Sequence, residues 1–257
     1  MKKISMLMLA LGVLSSASAI AEQMRFGLEA EYPPFESKNA KGELEGFDIE
    51  LGNTICKVAQ LQCSWVESSF DTLIPGLAAK KFDVINSAMN ITEKRKESID
   101  FTNPIYRIPS QLVAKTDSGL TSTVEGLKGK NIGVLQASIQ EVYAKEHWEP
   151  KGVTITSYKD QNMVYNDMVN GRLDGTLVMA AAGQAGFLDK PEGKGYAFVG
   201  KPVEDTKILG SGIGFGLRKG DDALKAKLNA AIAKVQADGT VTTLAKKYFK
   251  GFDVSVK

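Results

Sequence analysis

The sequence is poor in groups equipped for covalent chemistry and has one residue well equipped to hold an anion. Arg95 follows Asn90-Ile91-Thr92 and stands in the charged segment Glu93-Lys94-Arg95-Lys96. Its guanidinium is planar and permanently charged, and its fork of N–H donors matches a carboxylate; backbone N–H groups at a helix start would add further donors. The competing reading is a surface arginine on a solvated face. Glu29, close to Glu31, reads by itself as a solvated loop acid. The single histidine, His147, stands beside Trp148 at the end of an expected helix and reads as a surface or packing residue. The sequence shows no nucleophile elbow, no phosphate-cradling loop and no cluster of metal ligands, so neither a metal nor a cofactor is expected.

The 257 residues are 43% apolar and 24% charged, an ordinary globular composition that excludes collagen-like, coiled-coil and disordered chains. The formal charge of +2 is too small for a nucleic-acid binder. Lys2 and Lys3 precede an apolar run and then small residues ending in Ala19-Ile20-Ala21. This is the pattern of a cleaved secretory leader over residues 1–21, and its apolar part is about half of the ~20 residues a spanning helix needs. Removing it takes the charge to zero. Export makes the spacing of Cys56 and Cys63 informative, because an oxidising compartment favours a local disulfide over two buried free thiols.

The elements that must position these residues alternate between strand and helix periodicity. Strands are expected over 24–28, 63–67 and 82–87, with helices over 47–59 and 73–80 between them. A second succession places strands over 131–135, 153–158 and 175–179, with helices over 138–147 and 163–170. An extended run from Asp100 to Ala114 passes from one set to the other, and the glycine-rich stretch 208–217 is a candidate return crossing. A helix capped by Asp221 or Asp222 and a shorter one over 240–249 close the chain. The fold class is α/β, with two lobes fitting the repeated pattern better than one large domain.

Several segments in this order resemble the periplasmic polar-amino-acid binding proteins of ABC importers, most of all those for lysine/arginine/ornithine and histidine. They are Glu31-Tyr32-Pro33-Pro34-Phe35-Glu36, Gly46-Phe47-Asp48-Ile49, Leu73-Ile74-Pro75-Gly76-Leu77, Ile91-Thr92-Glu93-Lys94-Arg95, Leu127-Lys128-Gly129-Lys130 with Ile132-Gly133-Val134, Gly171-Arg172-Leu173-Asp174, and Asp238-Gly239-Thr240 through Lys247-Tyr248-Phe249. The resemblance implies a type II periplasmic binding fold, a cleft between lobes, a periplasmic location, a monomer, and a membrane permease with its ATPase as partners. Carried over, lobe 1 comprises 22–106 and 211–257, and lobe 2 comprises 107–210.

By the same resemblance Arg95 grips the α-carboxylate of an amino acid or derivative, helped by Asn90 and, from the second lobe, by Ser138, Ile139 and Gln140. Tyr32 and Phe70 cover the ligand side chain, Leu135 packs from the opposite lobe, Ser87 offers a hydroxyl or backbone acceptor, and Glu29 meets a distal cation. Two departures stand out. Ala88 and Asn90 replace serines common in the family. Counting forward from Gly171, Met179 takes the place of the acid that receives the α-ammonium, and its neighbours Val178, Ala180, Ala181 and Ala182 are neutral.

A buried ammonium without its anion typically costs ~3 to 5 kcal/mol. Three outcomes are open: the true ligand has no ordinary free α-ammonium, as in an N-substituted amino acid of opine type or another carboxylate; Glu29 and water pair with the ammonium; or ordinary amino acids bind weakly. An acid from elsewhere in the cleft is the remaining alternative. A dehydratase-like enzyme or an exported sensor on the same fold are the rival functions.

Overall fold

The computed structural model describes residues 22–256; the leader read over 1–21 lies outside the described residues. The chain begins with β1 (Glu22–Leu28), then a small antiparallel meander of β2 (Glu31–Tyr32), β3 (Glu36–Lys38) and β4 (Leu44–Glu45). β5 (Leu61–Glu67), β6 (Val84–Ile85) and β7 (Asp100–Phe101) follow. The next five strands are β8 (Ser110–Lys115), β9 (Asn131–Leu135), β10 (Thr154–Tyr158), β11 (Gly175–Met179) and β12 (Tyr196–Val203), and β13 (Gly216–Leu217) is the last.

These strands build two separate five-stranded sheets. The first has the order β5-β1-β6-β13-β7 and the second β10-β9-β11-β8-β12. β1 runs parallel to β5 and β6, and β9 runs parallel to β10 and β11. Parallel neighbours require crossover connections, which the intervening helices supply. β13 joins the first sheet antiparallel to β6 and β7, so strands from early and late in the described residues share that sheet.

Helix positions follow local signals. α1 (Phe47–Val58) turns Phe47, Leu51 and Ile55 inward. It starts after Gly46, whose φ of +130° and whose close approach to the Phe35 carbonyl leave no room for a side chain. A disulfide joins Cys56 of α1 to Cys63 of β5 with a Cα separation of 6.2 Å, as the spacing predicted. α2 (Leu73–Ala78) and α3 (Glu93–Lys96) complete this half, the latter capped by the Thr92 hydroxyl. α4 (Val124–Leu127), α5 (Ile139–His147), α6 (Gln161–Val169), α7 (Ala180–Gly183) and α8 (Thr206–Leu209) belong to the second sheet's half. α9 (Asp222–Ala237), capped by Asp221, and α10 (Thr240–Tyr248) end the fold.

The expected strand over 82–87 shrinks to two residues, because Asn86 turns its amide onto the Asp48 carbonyl and Ala88 adopts a left-handed φ of 44°. The expected extended return over 208–217 is broken. It opens with the end of α8, turns at Gly210, and pairs through Ile213, which bridges both Asn90 and Tyr106. β12 and the β2-β3-β4 meander carry no clear period in the sequence and are found only in the structure. His147 is occupied structurally: its Nε2 lies 2.8 Å from Asp205 and its ring rests 4.6 Å from that of Tyr143.

Candidate functional site

Between the sheets lies a cavity lined from one side by Tyr32, Phe70, Ala88, Asn90 and Arg95, and from the other by Leu135, Ser138, Ile139, Gln140 and Met179. The lining comes in equal parts from segments attached to each sheet. The space between atoms amounts to about 260 Å3, of which about 10 Å3 is wide enough for the centre of a water molecule. A solute the size of an amino acid therefore requires the two walls to part. Of the residues singled out from the sequence, Glu29 and Ser87 are the two outside this lining.

Arg95 dominates the electrostatics. Thr92 caps the short helix that carries it, and the guanidinium reaches back to the Asn90 carbonyl at 2.9 Å and across to the Ala137 carbonyl at 3.0 Å. Its centre lies 5.5 Å from the Phe70 ring, a cation–π arrangement. Although the residue as a whole is half-buried, desolvation of the guanidinium lowers its pKa to about 10, and no carboxylate offsets that cost. It stays protonated at neutral pH, and its guanidinium hydrogen-bonds only to neutral carbonyls. A bidentate carboxylate would satisfy it far better.

The opposite wall offers donors to the same anion. Ser138 caps α5 by accepting the Glu141 N–H, leaving its own hydroxyl proton to donate. Ile139 and Gln140 are the first two residues of that helix, whose early N–H groups have no intrahelical acceptor. Gln140 is fixed by its own amide, which donates to Ser110 at 2.8 Å. Asn90 donates through Nδ2 to the Leu209 carbonyl at 3.2 Å. That contact orients the amide, since a carbonyl can only accept, and leaves Oδ1 buried with no partner among the described residues.

Met179 ends β11 and is buried in the cavity wall. Among the described residues, no Asp or Glu lines this cavity. Burial, with the neighbouring Tyr165, pushes the Tyr32 phenol well above the usual range, against a contact from the Met179 backbone that lowers it.

Glu29 is buried but opens onto a neighbouring cleft of about 830 Å3 that Glu31, Asp160 and Lys159 also line. Desolvation, reinforced by Asp160, Glu31 and Asp71, raises its carboxyl to about 8. The solvated loop acid expected from its sequence context is thus an enclosed one. Ser87 lies behind the wall: its hydroxyl donates to Glu36 at 2.7 Å and accepts the Glu29 N–H at 3.0 Å. Sequence reasoning missed Ala137, Glu36 and Asp48. Ala137 contributes only a carbonyl, which no residue type advertises, whereas Glu36 and Asp48 lay inside recognised segments and were legible as acids beside apolar residues.

Two α/β lobes that meet over a small enclosed cavity, with ligand-competent donors from both, define a two-lobe binding protein. The lysine/arginine/ornithine-binding periplasmic protein of Escherichia coli K12 is 47% identical over 251 residues, covering 96% of each chain. The histidine-binding periplasmic protein of Salmonella typhimurium is 47% identical over 258 residues, covering 99% of each. Among solved structures, a Salmonella typhimurium periplasmic binding protein described for its high arginine specificity superposes with a TM-score of 0.81 at 32% identity, covering 89% of this chain and all of that one. The chain belongs to the bacterial extracellular solute-binding proteins, family 3, whose profile matches residues 24–251. It is a solute binder rather than an enzyme.

Proposed function

We propose that this protein is the periplasmic component of an ABC importer, capturing a carboxylate-bearing basic amino acid or a derivative substituted on its α-nitrogen and delivering it, as a monomer, to a permease and its ATPase. Lobe 1 comprises 22–106 and 211–257, lobe 2 comprises 107–210, and the leader over 1–21 directs export. The observation that carries the reading is the desolvated Arg95 guanidinium, held only by backbone carbonyls in a cavity with no carboxylate of its own. Relatives named for lysine, arginine, ornithine and histidine support the basic class.

Within that class the α-nitrogen end is distinctive. Met179 offers no charge, and the acceptor nearest in kind is the unpartnered Oδ1 of Asn90. A neutral acceptor suits a single N–H donor and leaves a full ammonium undercompensated. Compounds whose α-nitrogen is acylated, and therefore carries one N–H and no charge, are preferred, their added apolar group packing on Met179 and Leu135, while Glu29 receives the distal cation. Calorimetric titration with arginine, ornithine, lysine, histidine and α-N-acyl arginines tests this. The acylated compounds bind tighter; equal or tighter binding of plain arginine removes the reason for a shift in selectivity.

A further inference from the structure

Behind the Ala88 wall two acids are enclosed without a cation. Glu36 opens β3 and Asp48 is the second residue of α1, and both are at most 1% exposed. Asp48 accepts the Ala88 N–H through Oδ2 and the Tyr106 O–H through Oδ1, each at 2.7 Å. Glu36 accepts the Ser87 O–H through Oε1 at 2.7 Å. The contact between the two carboxyls raises the pKa of Glu36 and lowers that of Asp48, and Glu36 Oε2 is buried with no hydrogen-bond partner among the described residues.

Two ionised carboxylates repel and cannot hydrogen-bond; one proton between them turns the contact into a donor–acceptor pair. The other titratable groups facing the pair are Glu29, Tyr32 and Tyr106, none of them a base. No cationic side chain faces the pair to compensate a second negative charge. Asp48 already receives two donors, as an ionised carboxylate should, which leaves Glu36 Oε2 as the atom that carries the proton.

We propose that Glu36 and Asp48 share a single proton, and that this proton holds the Ser87–Ala88 wall in place, making both acids positioning residues for the cavity. Ala88 stands at a φ of 44°, a region that residues with a Cβ rarely occupy, and its N–H is held there by Asp48. The same carboxylate holds Tyr106, whose backbone carbonyl accepts the Ile213 N–H at 2.7 Å on the return crossing. The pair thus ties the wall to the connection between lobes. Burial pushes Asp48 up to about 6 and Glu36 further, in keeping with one retained proton at neutral pH. That the wall faces ligand rests on the proposed function; the shared proton does not.

Neither test needs a ligand. Folding above the ordinary carboxylate range must bring a proton to Glu36, so wild type loses stability with rising pH through this group, a loss from which E36Q, with its permanent N–H donor, is free. The melting temperature of E36Q relative to wild type is expected to rise by at least about 5 °C between pH 5 and pH 8. Amide exchange at Ala88 is expected to be as slow in E36Q as in wild type and at least about tenfold faster in E36L. Should E36L not fold, D48N carries the same comparison. A melting difference that stays constant with pH overturns the shared proton. Unchanged exchange at Ala88 in the disrupting variant, or loss of protection in E36Q, overturns its hold on the wall.

Discussion

Arg95 Nη2 donates to the Ala137 carbonyl at 3.0 Å, from the helix after Thr92 on one side of the cavity to the loop before α5 on the other. This bond places the single cationic side chain of the cavity lining against both walls. A ligand carboxylate would sit where these donors converge, next to the start of α5. The contact between the walls and the proposed anion recognition therefore share one residue.

Replacing Arg95 with alanine removes the anchor and leaves the fold, since the residue lies on a short exposed helix and joins no apolar core. Carboxylate affinity is expected to fall by ~2 to 4 kcal/mol, or about 30- to 1000-fold in Kd, by calorimetry. The far-ultraviolet circular dichroism and melting temperature of the free protein stay close to wild type. Unchanged affinity rejects Arg95 as the anchor.

Met179→Asp places an acid in the cavity wall facing the first lobe. Affinity for free L-arginine is expected to rise about tenfold or more, with α-N-acyl derivatives gaining less, because only a charged nitrogen benefits from a carboxylate. The selectivity ratio between the two ligand types, measured by titration on both proteins, is the decisive readout. A ratio unmoved by the substitution means the α-nitrogen does not face residue 179.

The Glu29 carboxyl, raised to about 8 by burial and by Asp160, Glu31 and Asp71, is mostly protonated at pH 7. A ligand cation arriving beside it drives ionisation and releases a proton, so cationic ligands lose affinity as pH falls below 8. Titrating at pH 7 in buffers of different ionisation enthalpy is expected to reveal release of up to about one proton, abolished in E29Q. A raised folded pKa also means that the stability contributed by this group is full below about 4 and is lost as pH rises through 8. Identical enthalpies in all buffers argue against Glu29 as the distal partner.

The Cys56–Cys63 disulfide closes a short ring between α1 and β5. In the loop-entropy view it contributes ~2 to 3 kcal/mol. Reduction, or the double serine variant, is expected to lower the melting temperature by about 5 to 10 °C while ligand affinity changes little, because neither cysteine lines the cavity. A loss of binding larger than the loss of stability would tie the ring to the site.

Much of this was legible in the chain because the relevant physics is local. Alternating apolar periods located β1, α1, β9 and β11, and the capping acid at Asp221 or Asp222 fixed the start of α9. Arg95 stood out by type and setting, and Met179 by what it lacks. What escaped depends on contacts distant in sequence. Glu29 looks solvated until Asp71 and Asp160 close around it, β12 exists because β8 offers it an edge, and the Ala137 carbonyl matters only once the second lobe presents it to Arg95. Glu36 and Asp48 are twelve residues apart and become one unit through the turn at Ala88.

A crystal structure with a bound member of the ligand panel tests the central claim most directly. The expected result is a carboxylate paired bidentately with Arg95 and touching the first N–H groups of α5, with an uncharged group of the ligand against Met179. A ligand seated in the cavity while the Arg95 guanidinium points away from it into solvent would contradict the account.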